Sequence, residues 1–158
     1  MDSELIVHSG GCHCKRVRWR VRAPPSVVAW QCNCSDCSMR GNTHFIVPSQ
    51  EFELNEDSKR FLTTYTFGTH TAKHIFCKVC GITSFYIPRS NPDGVAVTFR
   101  CVDSGTLEHV EVRRFDGRNW ESSFDQTGIS SCSKVATDKP ELSRSPMIES
   151  TSLNCEDQ

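Results

Sequence analysis

The residues best suited to chemistry in this chain are its cysteines. There are 10, and seven of them are clustered: Cys12-His13-Cys14, Cys32-Asn33-Cys34-Ser35-Asp36-Cys37 and Cys77-Lys78-Val79-Cys80. Cys101, Cys132 and Cys155 stand alone. Thiolates hold zinc at about 2.3 Å in a tetrahedron, which brings sulfurs to roughly 3.8 Å of one another. A C-x-x-C knuckle followed by glycine, as in Cys77–Gly81, meets that separation through a tight turn. A C-x-C pair in a regular strand spans nearly 7 Å, at about 3.3 Å per residue, so it must leave strand geometry. Gly10-Gly11 before Cys12 is the expected source of that freedom.

Ligand counting is informative. A structural zinc takes four protein ligands, and a catalytic zinc commonly keeps three and an open position. Seven clustered cysteines divide into Cys12, Cys14, Cys77 and Cys80 as a closed set and Cys32, Cys34 and Cys37 as an open one. That implies two zinc ions per chain, one structural and one functional. An open position on a thiolate-rich zinc suits an incoming thiol. Two alternatives stay open. The pairs could be redox dithiols, or a histidine (His13, His44 or His74) could close the second site.

Composition narrows the class. The chain has 158 residues, a net charge of −1 and 37% hydrophobic residues, which fits one domain with a core and perhaps a tail. No apolar run is long enough for a membrane helix. The N-terminus lacks the basic and apolar regions of a secretory signal, so a reducing compartment is expected: cytoplasm, with the nucleus as the alternative. There, metal explains the cysteines better than disulfides.

The elements that must position the cysteines read mostly as strands. Arg16–Arg22 alternates, with Val17, Trp19 and Val21 on one face and four arginines on the other. Further strands are expected at Val27–Trp30, His44–Val47, Phe61–Phe67, Ala72–Phe76, Ile82–Ile87, Val95–Cys101 and His109–Phe115. Ser90–Gly94 reads as a turn. Short helical turns are expected at Cys34–Arg40 and Arg118–Phe124. Residues 129–158 hold 7 serines and no aromatic, with 3 basic and 5 acidic residues. They are expected to form a disordered tail that takes Cys132 and Cys155 with it.

Gly10-Gly-Cys-His-Cys14, Cys32-Asn-Cys-Ser-Asp-Cys37 and His74-Ile-Phe-Cys-Lys-Val-Cys-Gly81 resemble the three signatures of the glutathione-dependent formaldehyde-activating enzyme family. Thr43–Pro48, Thr64–Phe67 and Ser84–Pro92 resemble its eukaryotic branch related to centromere protein V. The resemblance spans residues 9–124. It implies an all-β, zinc-supported β-tent fold of short antiparallel strands. It also implies a structural zinc on Cys12, Cys14, Cys77 and Cys80, and a functional, catalytic zinc site on Cys32, Cys34 and Cys37. The implied activity is that of a carbon–sulfur lyase joining glutathione, the cosubstrate, to formaldehyde as S-(hydroxymethyl)glutathione. His44 and Ser35 are candidate proton donors, and Arg89 and Arg100 candidate anion contacts. The alternative is a non-catalytic zinc module that meets chromatin, nucleic acid or a protein through the basic stripe Lys15–Arg22.

Overall fold

The structure is a computed structural model that describes residues 4–135. It is built mainly from short strands in three small sheets. The first joins β1 (Ile6–Gly11), β2 (Arg18–Ala23) and β5 (Phe52–Leu54) in the order β1-β2-β5. The central sheet holds β3 (Ser26–Cys32), β4 (His44–Pro48), β8 (Phe85–Tyr86), β9 (Gly94–Thr98) and β10 (His109–Phe115), in the order β10-β3-β4-β9-β8. The third pairs β6 (Leu62–Tyr65) with β7 (His74–Cys77). Two short helices, α1 (Ser35–Arg40) and α2 (Trp120–Thr127), complete the framework.

The alternation of β2 works as its sequence reads. Trp19 and Val21 are 1% exposed and face the core with Val17, while the arginines face outward. The Trp19 indole N–H donates to Ser84 Oγ at 3.0 Å, so this large side chain is buried without an orphaned donor. β9 lies between β4 and β8, and all five of its residues are buried, which its unbroken small-and-apolar sequence permits.

Four expectations need correction, and two strands are additions to them. The expected strand at Ile82–Ile87 shrinks to Phe85–Tyr86. The strands are not all antiparallel: β10 pairs with β3 in parallel, with Phe115 opposite Cys32. A parallel partner needs a long crossover, and here most of the domain supplies it. β1 and β5 were not foreseen, because each carries too few apolar residues to stand out. The expected strand at Val95–Cys101 stops at Thr98 and turns into a 3-10 helix, Phe99–Cys101. The expected tail does not begin at Ile129. Residues Ile129–Ser133 form a 3-10 turn in which Ile129 and Ser133 are buried, and Ile129 joins a second small core with Trp30 and Phe115. The remainder of the expected tail, from residue 136 and including Cys155, lies outside the described residues.

Candidate functional site

The seven clustered cysteines form two groups. In each, the sulfurs lie within 4.8 Å of one another. Cys12, Cys14, Cys77 and Cys80 make the first. Sulfur–sulfur distances of 3.6 Å (Cys12–Cys14) and 3.7 Å (Cys14–Cys77) match the edge of a thiolate tetrahedron of roughly 3.8 Å. The group could therefore hold a metal ion.

Each pair reaches that spacing in its own way. After β1, the chain turns back through Lys15, whose φ is 67°, and the Val17 backbone N–H donates to Cys12 Sγ. The Cys77 knuckle closes on Gly81, whose φ is 80° and whose N–H donates to the Cys77 carbonyl at 2.8 Å. Gly10 and Gly11 have a different role from the one expected. A Cβ on Gly10 would stand 2.3 Å from the Cys101 carbonyl oxygen and 2.4 Å from the Trp19 ring. Gly10 allows close packing, and Lys15 makes the turn. Burial pushes the Cys12 thiol up to about 11, while the Arg16 backbone N–H above all draws Cys14 down to about 6.

Cys32, Cys34 and Cys37 make the second group. Cys32 ends β3, Cys34 caps α1 and Cys37 lies in its first turn. Cys34 Sγ accepts from the Cys37 backbone N–H at 3.3 Å, and Cys32 Sγ accepts from Cys34 N–H at 3.4 Å. Hydrogen bonds with Cys32 and Cys37 draw Cys34 down to about 2, and the sulfur bonds push Cys37 up. Three sulfurs so placed could hold a metal ion with a position to spare. Neither His44 nor His74 joins the group.

The loop that carries Cys32 and Cys34 is locked by the segment after β10. Asn33 Nδ2 donates to Asp116 Oδ1 at 3.0 Å, and Arg118 donates its backbone N–H to Asn33 Oδ1 and its Nε–H to the Asn33 carbonyl. Gly117 lies directly on the cluster: a Cβ there would meet Cys32 Sγ at 2.5 Å and Cys34 Cβ at 2.8 Å. On the other side, Asp36 pairs with Arg40 at 2.9 Å and with His74 Nδ1 at 3.1 Å, tying α1 to β7.

The three-cysteine group borders a cavity of about 540 Å³. Ser35, His44, His74 and Tyr86 line it beside the sulfurs. Aromatic contacts run through this wall. Phe67 stacks on His74 at 5.3 Å, His74 on Tyr86 at 5.1 Å, and Tyr86 meets His44 at 4.6 Å. Burial pulls His44 down to about 3, so its imidazole is neutral at physiological pH and is not a cationic acid. Arg89 and Arg118 bring positive charge to the cavity, whereas Arg100 is not among its lining residues. The basic stripe on β2 is charge-matched. Arg18 bonds to Asp103 at 3.1 Å and Arg20 to Glu53 at 3.1 Å, and Arg22 lies 3.6 Å from Glu51.

Sequence reading found all seven sulfurs. It did not find Asp36, Tyr86, Asp116, Gly117 or Trp120. Asp116-Gly117, at the end of a strand and before a helical turn, is a turn signal that could have pointed to a constrained loop.

The model of the glutathione-dependent formaldehyde-activating enzyme family matches residues 7–118. Among solved structures, the chain is similar to a Rhodobacter sphaeroides protein determined by structural genomics. Identity is 31% and the TM-score 0.57, over 66% of this chain and 98% of that one. No helix among the described residues is long and apolar enough to cross a membrane.

Proposed function

Because the chain belongs to the glutathione-dependent formaldehyde-activating enzyme family, we propose that it is a zinc-dependent carbon–sulfur lyase acting on glutathione–aldehyde adducts. The observation that carries this reading is the group of three sulfurs, Cys32, Cys34 and Cys37, on the wall of a cavity large enough for a small-molecule ligand. In this reading Cys12, Cys14, Cys77 and Cys80 hold a structural zinc that supports the fold. Cys32, Cys34 and Cys37 hold the functional one.

When bound by the three sulfurs, zinc supplies Lewis-acid stabilisation of an incoming thiol in its ionised, nucleophilic form. The chain's own residues do the rest. Asn33, Asp116 and Arg118 fix the cysteine loop, so that the sulfurs keep one face toward the cavity. Arg118 offers charge complementary to a carboxylate of glutathione. The rings of Phe67, His74 and Tyr86 give the encounter an aromatic wall beside the sulfurs. Across the reaction a sulfur–carbon bond forms, the carbonyl π pair moves to oxygen, and the thiol proton ends on that oxygen. In this reading Ser35, one of the hydroxyls that line the cavity, passes it.

The charge-matched arginines weaken the alternative of a nucleic-acid module, since Asp103, Glu53 and Glu51 already answer three of the stripe's positive charges. Two measurements test the enzyme reading. Metal analysis of protein purified without chelator should return two zinc ions per chain. Exchange spectroscopy of glutathione with formaldehyde should show acceleration by the protein and none by Cys34→Ser. Equal exchange with and without protein removes the enzyme reading.

A further inference from the structure

The cavity has two walls of different origin. One is the cysteine loop with His44, Tyr86 and Arg118, all within the matched family segment. The other includes Trp120 and Ile129, both beyond residue 118, where the family match ends. This second wall is strongly apolar. Trp120 stacks on Phe124 at 4.8 Å and meets Phe115 at 6.4 Å, and all three pack with Trp30 and Ile129 in one cluster that also contacts Cys32. The apolar cluster therefore reaches Cys32 of the three-cysteine group, and Trp120 and Cys32 line the same cavity.

The wall is also held firmly in place. Asn91, which is fully buried, donates through Nδ2 to the carbonyls of Ile129 (3.0 Å) and Ser130 (3.2 Å) and to Ser133 Oγ (2.9 Å). Arg89 covers the Trp120 ring at 3.7 Å and is itself paired with Glu121 at 3.0 Å. Ordering this segment costs conformational entropy, and the clamp offsets it to keep an apolar surface on the site.

Glutathione has nothing to place on that surface. It is a tripeptide of carboxylates, an ammonium group, amides and one thiol, and formaldehyde adds only a single carbon. An apolar wall beside the reacting sulfurs therefore implies an apolar group on the other reactant. We infer that this chain acts on glutathione adducts of aldehydes that carry an aromatic or branched aliphatic side chain, with Trp120, backed by the buried Ile129, as the residue that selects it. The inference rests on the glutathione reading above and sharpens its substrate class. The step is the same addition: sulfur bonds to the aldehyde carbon, and the thiol proton ends on the oxygen, with no further reactant.

Two measurements on the full chain loaded with zinc test it. In exchange spectroscopy, kcat/KM for phenylacetaldehyde with glutathione should exceed that for formaldehyde, after correction for each spontaneous rate, by about tenfold or more, since each methylene in an apolar pocket is worth about tenfold or more. The ratio should fall toward one in Trp120→Ala. Ile129→Ala, a smaller truncation, should lower the same ratio and serves if Trp120→Ala does not fold. In calorimetric titration, S-benzylglutathione should bind at least about tenfold more tightly than S-methylglutathione, and the gap should close in the same variants. Preference for formaldehyde, or a ratio and a binding gap unmoved by both variants, overturns the inference and leaves the glutathione reading standing. Absence of acceleration with either aldehyde, together with no binding of either thioether, overturns both.

Discussion

The two cysteine groups contain the same ligand atoms and are built by opposite means. The four-cysteine group is a long-range stitch: Cys14 and Cys77 are 63 positions apart, and their sulfurs lie 3.7 Å from each other. Two of its members, Cys12 and Cys77, are packed in the main core. The three-cysteine group is a local turn, six residues from end to end, set on a cavity and braced from outside by Asp116, Gly117 and Arg118. A cross-link between distant strands can stabilise a fold. A short loop facing a cavity adds little to the fold and leaves room for a ligand.

The largest contrast should come from the ligands themselves. Cys80→Ser should abolish cooperative thermal unfolding, because metal binding in such sites is worth on the order of 10 kcal/mol or more and is coupled to folding. Cys34→Ser should keep the far-ultraviolet dichroism and lower Tm by only a few degrees, while zinc falls from two ions per chain to one. Equal loss of structure in both variants would erase the distinction.

The supporting residues should separate next. Asp116→Ala and Gly117→Ala act on the cavity-side group alone. Asp116→Ala removes the acceptor that holds Asn33, and outer-shell partners of this kind commonly govern about ten- to a hundredfold of metal affinity. Competition with a chelator should show weaker retention of one zinc only. Gly10→Ala acts on the other region. Its Cβ would drive into the Cys101 carbonyl and the Trp19 ring, so a loss of about 1–3 kcal/mol, read from denaturant midpoints, is expected with both ions retained.

The smallest effect belongs to the β2 stripe. Arg18 holds the Asp103 carboxyl below the usual carboxylate range. A depressed folded-state pKa means that the pair contributes above the ordinary carboxylate value and loses its contribution as pH falls through the lowered one. The pair is partly exposed, so the contribution is below about 1 kcal/mol. The Tm difference between wild type and Asp103→Asn should be small at neutral pH and vanish as pH falls through the lowered carboxylate value. A difference that grows in acid would contradict the pairing.

How much of this could be read from the sequence follows from the same contrast. Ligand spacing within each motif is local, so the division of the cysteines into four and three was legible, as were β2, β4, β10 and both helical turns. Partners far apart in the chain were not. Nothing near Asn33 announces that Asp116 will receive it, because that contact exists only once β10 lies parallel to β3. The expected tail start at Ile129 failed for a related reason. A serine-rich segment with one apolar residue has no period to read, and Asn91 supplies the hydrogen bonds that hold it. Residue type alone makes His44 a candidate acid, and only its burial shows that its ring is neutral.

The parallel pairing of β3 with β10 also sets an order of events during synthesis. All three cavity-side sulfurs have been made once Cys37 is added, yet the strand and turn that brace their loop arrive roughly eighty residues later. At about 5–20 residues per second, that leaves several seconds in which three thiols are present without their brace. Cys77 and Cys80 emerge before β10, so the core stitch can close while the cavity side is still open. Ribosome-stalled chains ending just before His109, with a flexible linker added to carry them clear of the exit tunnel, should therefore retain one zinc firmly and exchange the other quickly.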